Sequence, residues 1–246
     1  MSEKFPLYSL VDDQRKAVVV VAGDIEGFFV SEEDQSEAVA FIDAEVSGGV
    51  PREIDDAILD VMNTRGDKIG EYPIGSVVFA DADAASRSGV KPRVSFRFFG
   101  SRFEFPEARE IWRRWAAEAH LGSEGWRTFS GSGHEAWLHV VQNSWFATGH
   151  DAICYGGNEL ANLNGSRFST PASFYCALGE AVNGPGGYFG SSLDALADCL
   201  RSSREFKPLT GVVWGDFDSS EKALGSSFVT AVLGVMREFE VAVDLR

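Results

Sequence analysis

Two aspartates, Asp194 and Asp198, stand four residues apart in the stretch GPGGYFGSSLDALADCL, residues 184–200. On a helix that spacing puts both side chains on one face with Cβ atoms roughly 5–6 Å apart, where like charges repel by a few tenths of a kcal/mol. Asp194 sits near the helix start and gains from the positive end of the dipole, whereas Asp198 is a turn deeper and gains less. Helix stability therefore accounts for one aspartate and not for both. The pair is not the acid/base couple of a glycosidase, because those carboxylates face each other across the substrate.

Other stretches offer weaker chemistry. HEAWLH (134–139) resembles a zinc-protease motif, but its histidines are five apart instead of four and do not share a helix face. DFDSSE (216–221) has carboxylates for calcium but lacks the glycine and distal glutamate of a calcium loop, so it reads as a turn and helix cap. GPGGYFG has no lysine in the phosphate-loop pattern and gives no nucleotide signal. No cofactor, metal or catalytic residue is expected. His120, His134, His139 and His150 are unassigned, and an enzyme seated in residues 1–150 has nothing else to stand on.

Something must hold the two aspartates outward. Ser191 or Ser192 can cap a helix whose seam is Leu193, Leu196 and Leu200, leaving Asp194 and Asp198 off the seam. Ahead of it, Gly184, Gly186, Gly187 and Gly190 free the backbone of a loop expected to present Tyr188 and Phe189. Around this helix, LANL (160–163), GVVW (211–214) and VAVDL (241–245) read as strands. SFYCALGEAV (173–182) reads as a helix with Phe174, Ala177, Leu178 and Ala181 inward, and SFVTAVLGVMREF (227–239) as one with Phe228, Ala231, Val232 and Val235 inward. Strands separated by helices imply a parallel sheet.

In the first half, AVVVVA (17–22) and SVVFA (76–80) read as strands and VSFRFFGSRFEF (94–105) as a strand or hairpin. IDDAILDVM (54–62) reads as a helix on the spacing of Ile54, Ile58, Val61 and Met62. PEAREIWRRWAAEAH (106–120) reads as a helix with Ile111, Trp112, Trp115 and Ala119 on one stripe, and its Arg109, Arg113 and Arg114 as a solvated face. The Gly- and Ser-rich stretch after residue 121 and the loop at DAICYGGNE suggest a boundary near 150, giving domains 1–150 and 151–246.

With 246 residues, 44% of them hydrophobic, the chain is long enough for a full core. Its formal charge of −15 argues against a nucleic-acid or anionic-membrane partner and for a basic one. Its apolar runs fall far short of the roughly 20 residues a membrane helix needs. The first residues, MSEKFPLYSLVDD, lack the basic start and apolar stretch of a secretory signal, and a cytoplasmic protein is expected. Cys154, Cys176 and Cys199 form no paired framework and are expected as reduced, buried thiols.

The run YFGSSLDALADCL resembles the signature of barstar-family proteins, inhibitors of small secreted ribonucleases. LNG (163–165), WGDF (214–217) and VLGVMRE (232–238) keep the family's order, and the resemblance covers about residues 159–246. It implies an α/β fold: a C-terminal domain with a three-stranded parallel sheet and packed helices, preceded by an α+β or α/β N-terminal domain of unassigned function. It also implies an immunity protein that blocks a basic ribonuclease, barnase-like or a related nuclease toxin, with an acidic helix and the loop before it. On this resemblance Asp198 is the chief anchor, standing where a substrate phosphate would lie. Asp194 is a second acidic contact, Tyr188 with Phe189 an aromatic one, Gly190 the point of close approach, and Glu238 an acid at the edge. Two positions depart from the family. Ala197 stands where the family often has Trp, and Ser202, Ser203 and Arg204 replace a further aromatic, with Arg201 adding charge. Interface aromatics supply much of the desolvated packing, so the alternative is a binding or regulatory protein with a non-nuclease partner.

Overall fold

A computed structural model describes residues 5–31, 38–49, 51–83, 92–99, 103, 105–117, 122–156 and 160–246. The chain forms two compact units, Met1–Ala119 and His120–Arg246.

Among the described residues the first unit is a closed barrel of antiparallel strands. These are β1 (Tyr8–Asp12), β2 (Ala17–Glu26), β3 (Ala38–Val46), β4 (Glu53–Met62), β5 (Lys68–Asp83) and β6 (Arg93–Phe98). They pair in the order β1-β2-β3-β6-β5-β4, and β1 on β4 closes the ring. Alternation fills the interior: Val94, Phe96 and Phe98 of β6 are buried, as are Ala57, Leu59 and Val61 of β4. The stretch 54–62, expected as a helix, is therefore strand β4. Its register shifts between Ile54 and Ala57, opposite a bend where Gly75 takes φ 83°. That bulge breaks the two-residue period and leaves the buried Ile54, Ala57 and Val61 at an apparent helical spacing, with Ile58 only half-buried.

Helix α1 (Ala108–Ala117) buries Ile111, Trp112 and Trp115 as expected, while Ala119 lies outside the described residues. The Trp112 indole donates to the Tyr72 hydroxyl at 2.8 Å. Asp24 of β2 accepts from Arg109 Nε at 2.8 Å and also from Arg113. Burial opposes ionisation of Asp24, yet Arg109, the Ile25 amide and Arg113 together hold its carboxyl below the usual range. Two of the three arginines of this helix thus serve to fasten it to the barrel.

In the second unit, β7 (Leu160–Asn164), β8 (Gly211–Gly215) and β9 (Ala242–Leu245) form a parallel sheet in that order. Helices α3 (Pro171–Asn183) and α4 (Leu193–Ser203) connect β7 to β8; α5 (Phe217–Leu224) and α6 (Ser226–Glu238) connect β8 to β9. The central strand carries the core through Val212 and Trp214, both fully buried, and the Trp214 indole donates to Ser220 Oγ at 2.9 Å. Phe174 stacks on Trp214 with ring centroids 5.2 Å apart. Thr170 caps α3 reciprocally with Ser173, and Pro171 opens the helix.

The buried side of α3 is Phe174, Tyr175, Cys176, Leu178 and Val182, with Ala177 and Ala181 only half-buried. That of α6 is Val229, Val232 and Met236, rotated from the expected stripe. Residue 150, where the sequence suggests a boundary, falls inside the second unit just past α2 (Ser132–Ala147). Helix α2 packs on α3 and buries Ala136, Trp137, Val140, Val141 and Trp145. The three cysteines are free and buried. No helix among the described residues is long and apolar enough to cross a membrane.

Candidate partner-binding face

One side chain, Asn183 at the end of α3, ties the loop between α3 and α4 to the segment that follows α2. Asn183 Nδ2 donates to the carbonyls of Tyr188 (2.7 Å) and Ile153 (3.1 Å), while its Oδ1 accepts from the Tyr155 amide at 2.6 Å. Tyr188 is 3% exposed and Phe189 fully buried. The Tyr188 hydroxyl lies 3.3 Å from Ser191 Oγ, and its ring meets Phe146 edge-on at 5.4 Å. The sequence reading has this loop presenting the two rings outward; they point into the unit instead. Each is a large apolar group, and burying it between glycines is worth more than displaying it. Gly190 is buried too, and its close approach is to the backbone of α4.

Helix α4 starts at Ser192, whose Oγ accepts from the Ala195 amide at 3.1 Å. Leu196, Cys199, Leu200 and Ser203 are buried, Leu193 and Ala197 half-buried, and Asp194 and Asp198 exposed. Ser203 Oγ donates to the Cys199 carbonyl at 2.7 Å, which satisfies a buried hydroxyl within the helix. Burial pushes the Cys199 thiol up to about 12 and leaves it unreactive.

The exposed side of α4 is not purely acidic. Asp198 is ion-paired with Arg201, with 66% and 64% of the side chains exposed. The guanidinium groups of Arg201 and Arg204 lie over the Phe239 ring, 5.7 Å and 5.3 Å from its centroid, and Arg204 also reaches Glu240 at 3.3 Å. Glu238 is exposed in the last turn of α6, the helix on which α4 packs. Asp194, Ala197 and Asp198 thus share one face of α4, and its C-terminal end meets the end of α6 through Phe239. Sequence reasoning misses Phe239 and Glu240, which join the face only because α4 packs on α6. It also misses Phe206, 74% exposed just beyond α4, whose signal was an aromatic among charged residues past a helix end.

His134 Nδ1 lies 3.0 Å from Thr170 Oγ1, His150 stacks on Trp145 at 4.3 Å, and His139 is half-buried on α2, while His120 lies outside the described residues. Asp216 is the residue before α5, in a left-handed conformation. No group of three or more metal-ligating side chains occurs among the described residues. A polar cleft of about 340 Å³ between β7, α3 and the turn Gly125–Thr128 is lined by Glu124, Trp126, Asn162, Asn164, Arg167 and Glu180. Burial raises the Glu180 carboxyl, and Glu124 is occupied by Arg127 and Arg167.

Residues 158–245 match the family model described as Barstar (barnase inhibitor), so a barstar-family domain forms the C-terminal part of this 246-residue chain. The parallel sheet β7-β8-β9 and its helices fall within the matched residues. No curated protein matches the chain.

Proposed function

We propose that the second unit is a protein inhibitor of a basic ribonuclease, acting as a cytoplasmic immunity protein, and that the exposed face of α4 enters the enzyme's cationic active site. The observation that carries this reading is the exposure of Asp194 and Asp198 together on α4, within the barstar-family segment. A carboxylate there substitutes for the substrate phosphate among arginine and histidine groups, and charge-assisted hydrogen bonds replace those of RNA. Occupying the site is sufficient for inhibition, and no bond is made or broken. Tyr188 and Phe189 are buried in the loop that leads into the helix, and Glu238 lies at the margin of the face.

A second reading, a binding protein for a non-nuclease partner, is favoured by one observation: Arg201 already occupies Asp198. Fluorogenic RNA cleavage by barnase and a panel of small basic ribonucleases, titrated with the full chain, separates the two. Stoichiometric inhibition of at least one enzyme, lost in Asp198→Ala, is the expected result. Inhibition of none, or equal and small effects from Asp194, Asp198 and the exposed control Asp218, removes the ribonuclease reading.

A further inference from the structure

The face of α4 is divided by charge along its length. Its N-terminal part carries Asp194 and Asp198, and its end carries Arg201 and Arg204, so these four exposed charges cancel. An exposed pair one turn apart near a helix C-terminus has an ordinary explanation, since it gains a few tenths of a kcal/mol from pairing and from the dipole. That explanation does not extend to the ring beneath. Two guanidinium groups share Phe239, a residue of the chain following α6, and one is held again by Glu240. Phe239 therefore keeps both guanidinium groups beside the aspartates as a positive patch, while the Arg201 side chain, 64% exposed, can exchange one carboxylate for another.

A partner that is cationic throughout its binding surface meets two obstacles here. It must take Asp198 from Arg201, and it must then bring its own charges against the two guanidinium groups gathered on Phe239. A partner with a carboxylate next to its cationic pocket meets neither, because Arg201 transfers from Asp198 to that carboxylate as Asp198 enters the pocket. Specificity of this kind comes from a repulsive element as much as from an attractive one.

Resting on the inhibitor reading of this face, we infer that Arg201 is its specificity-determining residue: it selects a partner that sets an acidic group beside a cationic pocket and disfavours one that is cationic alone. The helix anchor and its selector are then one turn apart on the same helix.

Surface plasmon resonance with the full chain and barnase as the cationic probe tests this, with circular dichroism to confirm that each variant is folded. Arg201→Ala and Arg201→Gln should each bind barnase about three- to tenfold more tightly than the unmodified chain, mostly through faster association, and the gain should shrink as salt rises. In a scan that places single glutamates around the rim of the barnase site, the unmodified chain should prefer at least one variant, and Arg201→Ala should lose that preference. Unchanged or weaker binding by both Arg201 variants overturns the inference. If Asp198→Ala abolishes binding in that same experiment, the inhibitor reading survives without it. Absence of binding by every variant overturns the inference too, since Arg201 is then not what excludes the probe. An Asp198→Ala change without effect in a chain that does bind removes the inhibitor reading itself.

Discussion

A Cβ on Gly190 would stand 2.9 Å from Cα of Leu196, and Gly190 has φ +100°. The loop after α3 therefore lies directly on the backbone of α4, at a point where any side chain both clashes and strains. Gly190→Ala should destabilise the protein by about 2 kcal/mol or more, since left-handed strain alone costs on the order of 1–3 kcal/mol. Urea denaturation measures it. A loss below half a kcal/mol would mean that the loop lifts off the helix at little cost.

Asp198→Ala should leave stability almost unchanged, because the pair it forms with Arg201 is largely exposed. Binding to an inhibited ribonuclease should fall by about 2–5 kcal/mol, the usual cost of truncating one partner of a buried charge pair. Asp194→Ala should cost less. Calorimetric binding and thermal unfolding of the same variants check both halves, and a stability loss matching the affinity loss would show that Asp198 acts through the fold.

The fragment 120–246 should fold cooperatively by itself, and 151–246 should be much less stable, because removing α2 uncovers the face of α3 on which it packs. Thermal melts of the two fragments decide it. Equal melting temperatures would make α2 dispensable and move the domain boundary back toward residue 150.

The division of labour in α4 was legible in the sequence because it depends on one helix and one period. Leu196 and Leu200 fall on the buried side, Leu193 is half-buried, and Asp194 and Asp198 lie outside. The three parallel strands were legible as well, being short apolar runs separated by Pro, Gly and polar residues. Strand β4 was not, because its bulge opposite Gly75 disguises a two-residue period as a helical one. Nor was the burial of Tyr188, which rests in part on Phe146, or the gathering of Arg201 and Arg204 on Phe239. Those contacts join residues distant in sequence, and no local pattern encodes them.

Burial holds His139 neutral, with its pKa lowered from 6.5 to about 4. An unfolded chain takes up a proton near 6.5 while the folded protein does not, so the stability this residue contributes is complete above pH 6.5 and is lost as pH falls toward 4. His139→Gln, which cannot titrate, should flatten the fall in melting temperature between pH 7 and 4.5 relative to the unmodified protein. Parallel curves for the two proteins would place the acid sensitivity elsewhere.

The loop held by Asn183 and the buried seam of α4 have a consequence for how this surface can change. Leu196, Cys199, Leu200 and Ser203 carry the packing, while 194, 198, 201 and 204 face solvent on a helix whose position is fixed from beneath. Substitutions at those four positions leave the folding free energy nearly untouched, so the helix behaves as a label that can be rewritten on a constant support. On the inhibitor reading, partner choice and structural integrity are then inherited separately, and a chain of this fold would acquire a new target by exchanging a handful of exposed charges.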